Sequence, residues 1–121
     1  MLQRVQSAAF LGGAYVFPGG SLDPEDSDTG RVVGLTEAQA NERLRLSSGG
    51  LAYYVAAIRE CFEEAGILLA CERNGAQIDA SRAESLMHWR KKSFRNLLET
   101  EDLYIPGPNK IEAAVRRALA N

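Results

Sequence analysis

The chain has 121 residues, 45% of them hydrophobic and 25% charged, with a formal net charge of −2 and a sequence pI near 5.4. That length supports one domain, and the acidic balance excludes a general binder of nucleic acid or of anionic membranes, which needs a basic excess. No apolar run approaches the roughly 20 residues of a membrane span. Ala8-Ala9-Phe10-Leu11, cut short by Gly12-Gly13, is too brief for a signal peptide, and two cysteines, Cys61 and Cys71, are too few for a disulfide framework. A cytoplasmic protein with reduced thiols is expected.

Residues 2–5 read as the end of a short strand and 6–13 as a loop. Ala14-Tyr15-Val16-Phe17 is rich in β-formers and is stopped by Pro18-Gly19-Gly20, so a strand is predicted there. Residues 21–35 carry Asp, Ser, Pro and Gly and read as loop. Thr36 is the N-cap of a short polar surface helix over 37–45, ended by Ser47-Ser48-Gly49-Gly50. A longer helix follows over 51–65, because Val55, Ile58, Phe62 and Ala65 recur at helical spacing, with Leu51 at its start and Cys61 beside the stripe.

Ile67-Leu68-Leu69-Ala70 is apolar throughout and predicts a strand covered on both faces. Asn74-Gly75 marks a turn. From Asp79, an N-cap, a helical segment runs to about Arg90, with Leu86 and Trp89 as contacts, and resumes over 93–100 with Phe94, Leu97 and Leu98. Leu103-Tyr104-Ile105 is one more short strand, closed by Pro106-Gly107-Pro108. The tail, 109–121, is an amphipathic helix with Ile111, Ala114, Val115 and Leu119 on one face.

The chemistry concentrates at Arg59-Glu60-Cys61-Phe62-Glu63-Glu64-Ala65-Gly66. Glu60, Glu63 and Glu64 stand at i, i+3 and i+4, on one face of the helix. Two readings are open: a solvated acidic face, or a site for a hard divalent cation such as Mg²⁺ or Mn²⁺, which takes oxygen ligands. Arg59, one turn before Glu63, can pair with it, and Gly66 ends the helix where a left-handed residue is wanted. His88 has no second ligand at metal spacing and reads as structural, and Lys91-Lys92 as a solvated basic turn. The glycine pairs lack the ending of a phosphate-binding P-loop.

Gly20 and Asp26, followed by Arg59-Glu60-x-x-Glu63-Glu64-x-Gly66-Ile67, resemble the Nudix box. That family pattern runs Gly, five residues, Glu, seven residues, then Arg-Glu-apolar-x-Glu-Glu-x-Gly-apolar. Asp26 fills the first acidic slot in place of Glu, and Cys61 an apolar slot. The departure is in spacing, since 32 residues separate Asp26 from Arg59. A long insertion after Val-Phe-Pro-Gly-Gly is similar to the branch of coenzyme A diphosphatases of the nucleoside-diphosphate-linked-moiety-X motif 19 type.

The resemblance implies an α/β (α+β) fold, here a partial α/β/α sandwich with a small mixed sheet. Its domain would occupy residues 1–105, with an insertion at 27–50 and a helical flank at 76–102, before a C-terminal helix at 106–121. It implies Mg²⁺ or Mn²⁺ held by Glu60, Glu63, Glu64 and the Gly20 carbonyl, with Glu60 and Glu63 in catalysis and Arg59 orienting them. Asp26 would support the cluster, while Asp23 and Glu25 solvate their loop. The substrate would be a nucleotide diphosphate linked to another moiety, such as a coenzyme A-like molecule. The chain looks truncated at both ends, so the alternative is an inactive remnant that acts by self-association. So short a core is expected to be completed by a second copy. The homodimer would bury Ile111, Val115 and Leu119, with the terminal helix set up for exchange between subunits.

Overall fold

The computed structural model describes residues 22–112. In chain order they form a 3-10 turn at Pro24–Ser27, helix α1 at Glu37–Leu44, helix α2 at Gly50–Ala65, helix α3 at Ala80–Ser85, a second 3-10 turn at Met87–Lys91 and helix α4 at Phe94–Glu101. Residues 108–112 are helical as well. No helix among the described residues is long and apolar enough to cross a membrane.

The expected α/β sandwich with a mixed sheet is not formed among the described residues, which are mostly helical. β-pairing among the described residues consists of three isolated bridges: Val32 with Ile105 (parallel), and Cys71 with both Tyr104 and Gln77 (antiparallel). The segment 103–105 is pinched between Asp102, in the left-handed region at φ 55°, and Pro106, which has no amide hydrogen to donate. Three residues hold one bridge on each side and no ladder. Ile67–Ala70, expected as a covered strand, buries Leu69 and Ala70 but joins no ladder. The strands expected at 2–5 and 14–17 lie outside the described residues.

The helices follow the sequence pattern more closely. Thr36 caps α1 with a capping box, its hydroxyl accepting from the Gln39 amide while the Gln39 side chain accepts from the Thr36 amide. As expected, α1 lies on the surface, with Glu37, Ala38, Gln39, Glu42 and Arg43 exposed, and it packs Ala40 against α2. Gly50 permits that approach, because a Cβ there would stand 2.6 Å from the Asn41 backbone nitrogen. The long helical segment after Asp79 breaks at Leu86 into the second 3-10 turn, and Ser93 caps α4 as a separate helix.

Val55, Ile58 and Phe62 of α2 form the predicted buried stripe, packed with Leu97, Leu98, Leu103 and Ile105. Phe62 lies against Phe94 with ring centroids 6.0 Å apart. Tyr54 is buried too, and its hydroxyl donates to the Pro106 carbonyl at 2.8 Å. Ile111, expected in a subunit contact, is 1% exposed within the single chain, because it fills this core. Val115 and Leu119 lie outside the described residues.

Candidate functional site

The acidic turn of α2 is fixed at both ends of its helix. At the start, Gly49 has no side chain to cap the free amides, and α1 supplies the caps. The Glu37 carboxylate accepts from the Gly49 amide at 2.7 Å and from Leu51 at 3.1 Å, and the Asn41 side chain accepts from Gly50 at 2.7 Å. These hydrogen bonds pull Glu37 below the ordinary carboxylate range.

At the far end, Gly66 is left-handed at φ 72°. Its amide donates to the Phe62 carbonyl at 3.0 Å, the bond of a left-handed helix cap, and that of Ile67 reaches Cys61 at 3.3 Å. Arg90 reaches in from the second 3-10 turn. It donates to three successive carbonyls, Phe62 at 3.1 Å, Glu63 at 3.0 Å and Glu64 at 3.3 Å. A cation at a helix C-terminus is favoured by both the free carbonyls and the helix dipole. The backbone that carries Glu63 and Glu64 is therefore held from outside α2.

Arg59 organises the inner side. Its Nε and Nη2 donate to the two carboxylate oxygens of Asp26 at 3.0 and 3.1 Å, and its Nη1 donates to Glu63 at 3.0 Å and lies 3.5 Å from Asp23. Asp26 is 1% and Arg59 7% exposed. Burial alone would lower the Arg59 pKa, but the hydrogen bonds and charge of Asp26 outweigh it and hold Arg59 above its ordinary value. The crevice beside this pair, between Val55, Phe94 and Leu98, encloses only about 10 Å³. Substrate pockets run from about 300 Å³ upward, so on this side Arg59 meets protein and no substrate.

Glu60 is half-buried and Glu64 exposed. Burial is the largest cause raising the Glu60 pKa; Arg59 pulls it back, while Glu64, Glu63 and Asp26 push it higher. A cation at this turn would relieve that repulsion, and carboxylate oxygens suit a hard divalent ion. The donor chemistry fits Mg²⁺ or Mn²⁺, with Glu60 and Glu64 as the carboxylates not tied to Arg59. Among the described residues no three His, Cys, Asp or Glu side chains converge as a metal group. Gly20, the expected carbonyl ligand, lies outside them.

Asp23 and Glu25 do more than solvate their loop. Asp23 faces Arg59, and Glu25 accepts from the Ser93 hydroxyl at 2.8 Å, while Asp28 lies 3.6 Å from Arg95. The 3-10 turn is thus docked to α2 and α4 through its acids. His88 is exposed, with Nδ1 3.2 Å from the Ser85 carbonyl. Burial pushes the Cys61 thiol up to about 11, which suits a packing residue. Glu37, Arg90 and Ser93 were not visible as site-building residues in the sequence. An N-cap or C-cap supplied from another element leaves no local spacing signal.

No protein-family model matches the chain, and no solved structure matches it. The chain is similar to the acyl-coenzyme A diphosphatase NUDT19 of Xenopus laevis, with 30% identity over 127 residues. The match covers 79% of this chain and 33% of the relative, so the chain spans about a third of that protein's length. The likeness supports a relationship to the Nudix family, the same family that the acidic motif resembles.

Proposed function

We propose that the chain belongs to the Nudix hydrolases and cleaves the diphosphate of a nucleoside diphosphate linked to another moiety, with coenzyme A-like molecules as the substrate class. The single observation that carries this reading is the buried Arg59–Asp26 pair. It joins the two halves of the motif, Asp26 and the Arg59–Gly66 turn, across 32 intervening residues. A solvated acidic face needs no such joint. The similarity to a named acyl-coenzyme A diphosphatase supports the substrate class.

In this reading Glu60 and Glu64 hold a divalent ion, and Glu63, oriented by Arg59, serves as a further ligand or holds a water. Bound metal would neutralise the diphosphate and lower the pKa of an attacking water. Arg59 positions Glu63 and does not touch the substrate. The test is hydrolysis of acyl-coenzyme A, coenzyme A and ADP-ribose with Mg²⁺ or Mn²⁺, followed by separation of the nucleotide products. Metal-dependent release of an adenosine bisphosphate from the coenzyme A substrates supports the proposal. No cleavage of any of the three with either metal contradicts it.

A second reading, a self-associating module without activity, is favoured by one feature. The backbone groups of Leu68, Leu69 and Ala70 make no hydrogen bond among the described residues, although Leu69 and Ala70 are buried. Unpaired extended backbone is a template for a second chain. The two readings are compatible in a homodimer, which is the assembly we propose.

A further inference from the structure

We propose that the groove between α1 and the loops 73–75 and 106–110 is an anion site for a phosphate-bearing small molecule, apart from the acidic turn of α2. The groove has a volume of about 790 Å³, within the roughly 300–1,000 Å³ of small-molecule pockets. Among the described residues its charged lining is Arg43, Arg73 and Lys110 against one carboxylate, Glu42. That excess of cations stands out in a chain whose net charge is −2.

Four of the other described arginines have a carboxylate counter-charge, while Arg90 is spent on the carbonyls that end α2 and Arg45 has no carboxylate partner among the described residues. Arg31, Arg59, Arg82 and Arg95 each lie within ion-pair distance of a carboxylate. Arg43, Arg73 and Lys110 have no carboxylate partner among the described residues. Two of the three are nevertheless held in place. The Lys110 ammonium donates to the Gly75 carbonyl at 3.3 Å, and the Arg73 guanidinium lies over the Tyr104 ring at 5.4 Å from its centroid. Cations positioned by the fold and lacking a counter-charge suit an anionic ligand, and arginine matches phosphate geometry through paired N–H donors.

The walls agree with that chemistry. Gly34, Gly75 and Gly107 line the groove, so backbone is open to close approach, and Asn74 and Asn109 add neutral hydrogen-bonding groups. Gly107 is itself required there, since a Cβ on it would stand 2.8 Å from the Gly34 carbonyl oxygen. No aromatic side chain among the described residues lines the groove, and the lining they give favours phosphate groups over base stacking. No residue of 59–66 lines it either, so the site is distinct from the proposed metal turn.

The experiment is calorimetric titration of the full chain with inorganic pyrophosphate in low-salt buffer free of divalent metal. Metal-free conditions separate this site from the hydrolase reading, which requires a cation. Saturable binding by the wild type, weakened about tenfold or more by Arg43→Gln with Arg73→Gln, supports the site. The control is Lys91→Gln with Lys92→Gln, which removes the same charge elsewhere and is expected to leave binding intact. Amide NMR shifts of the wild type offer a check that needs no variant: Gly34, Asn74, Gly75 and Gly107 are expected to move with pyrophosphate. No saturable binding, equal weakening by both double variants, shifts elsewhere in the chain, or a single-stranded oligonucleotide binding in preference to pyrophosphate would each overturn it.

Discussion

Asp26 and Arg59 meet through two buried hydrogen bonds, 3.0 and 3.1 Å long, although 33 positions separate them in the chain. Breaking one partner of such a pair leaves an uncompensated charge in the interior, at a cost of about 3–5 kcal/mol. Asp26→Asn is expected to destabilise the protein by that order in urea unfolding. Replacing both residues together, Asp26→Leu with Arg59→Met, is expected to cost less than either single change. A loss under about 1 kcal/mol for Asp26→Asn would show that the pair is not buried in solution.

Gly66 and Arg90 make a second joint. Alanine at position 66 places a side chain in the left-handed region and brings its Cβ to 3.1 Å from an Arg90 nitrogen. Left-handed backbone costs an ordinary residue about 1–2 kcal/mol, and displacing Arg90 adds to it by freeing the carbonyls of Phe62, Glu63 and Glu64. Gly66→Ala is expected to lower the melting temperature more than Gly75→Ala does. Gly75 is also left-handed, at φ 91°, but its Cβ would meet only the flexible end of Lys110. Equal losses at the two glycines would rule out the Arg90 contact as a constraint.

Glu37 predicts a pH dependence. Its folded pKa lies below the ordinary 4.5 because the Leu51 and Gly49 amides bond to its charged form. A depressed carboxylate contributes stability above its unfolded pKa, and that contribution is lost as pH falls through the lower, folded value. Wild type is therefore expected to lose stability on acidification from about pH 5, and Glu37→Gln to lose less over the same interval. Parallel melting curves against pH for the two proteins would contradict the cap.

Much of the helical frame was legible because its signals are local. Thr36 and Asp79 are N-caps, Val55, Ile58 and Phe62 keep helical spacing, and Gly66 ends α2 as expected. The sheet was misread because apolar and β-branched runs say what is buried, not what pairs. Ile67–Ala70 satisfies the composition of a covered strand yet finds no neighbouring ladder among the described residues, and Asp102 and Pro106 confine 103–105 to single bridges. Of the site, the acidic triad and the Arg59–Glu63 pair were readable at i,i+4 spacing. The contributions of Glu37, Arg90 and Ser93 were not, since each acts on an element distant in the chain.

The backbone of 68–70, which makes no hydrogen bond among the described residues, bears on assembly. If a second copy pairs with it, light scattering is expected to give twice the 13.2 kDa chain mass at micromolar concentration. Leu68→Pro, at a half-buried position, removes one backbone donor while leaving the buried Leu69 in the core. It is expected to shift the population toward monomer. A wild-type monomer that melts cooperatively would exclude the homodimer.

The central claim is that the Glu60–Glu64 turn takes a divalent cation, and one thermal measurement bears on it directly. A ligand that binds only the folded state stabilises it by mass action, about 2.7 kcal/mol at a hundred times its dissociation constant. Mg²⁺ or Mn²⁺ is expected to raise the melting temperature of the wild type, and Glu64→Gln to abolish the rise while leaving the metal-free protein folded. Equal shifts in wild type and Glu64→Gln, or no shift in the wild type at millimolar metal, would contradict it.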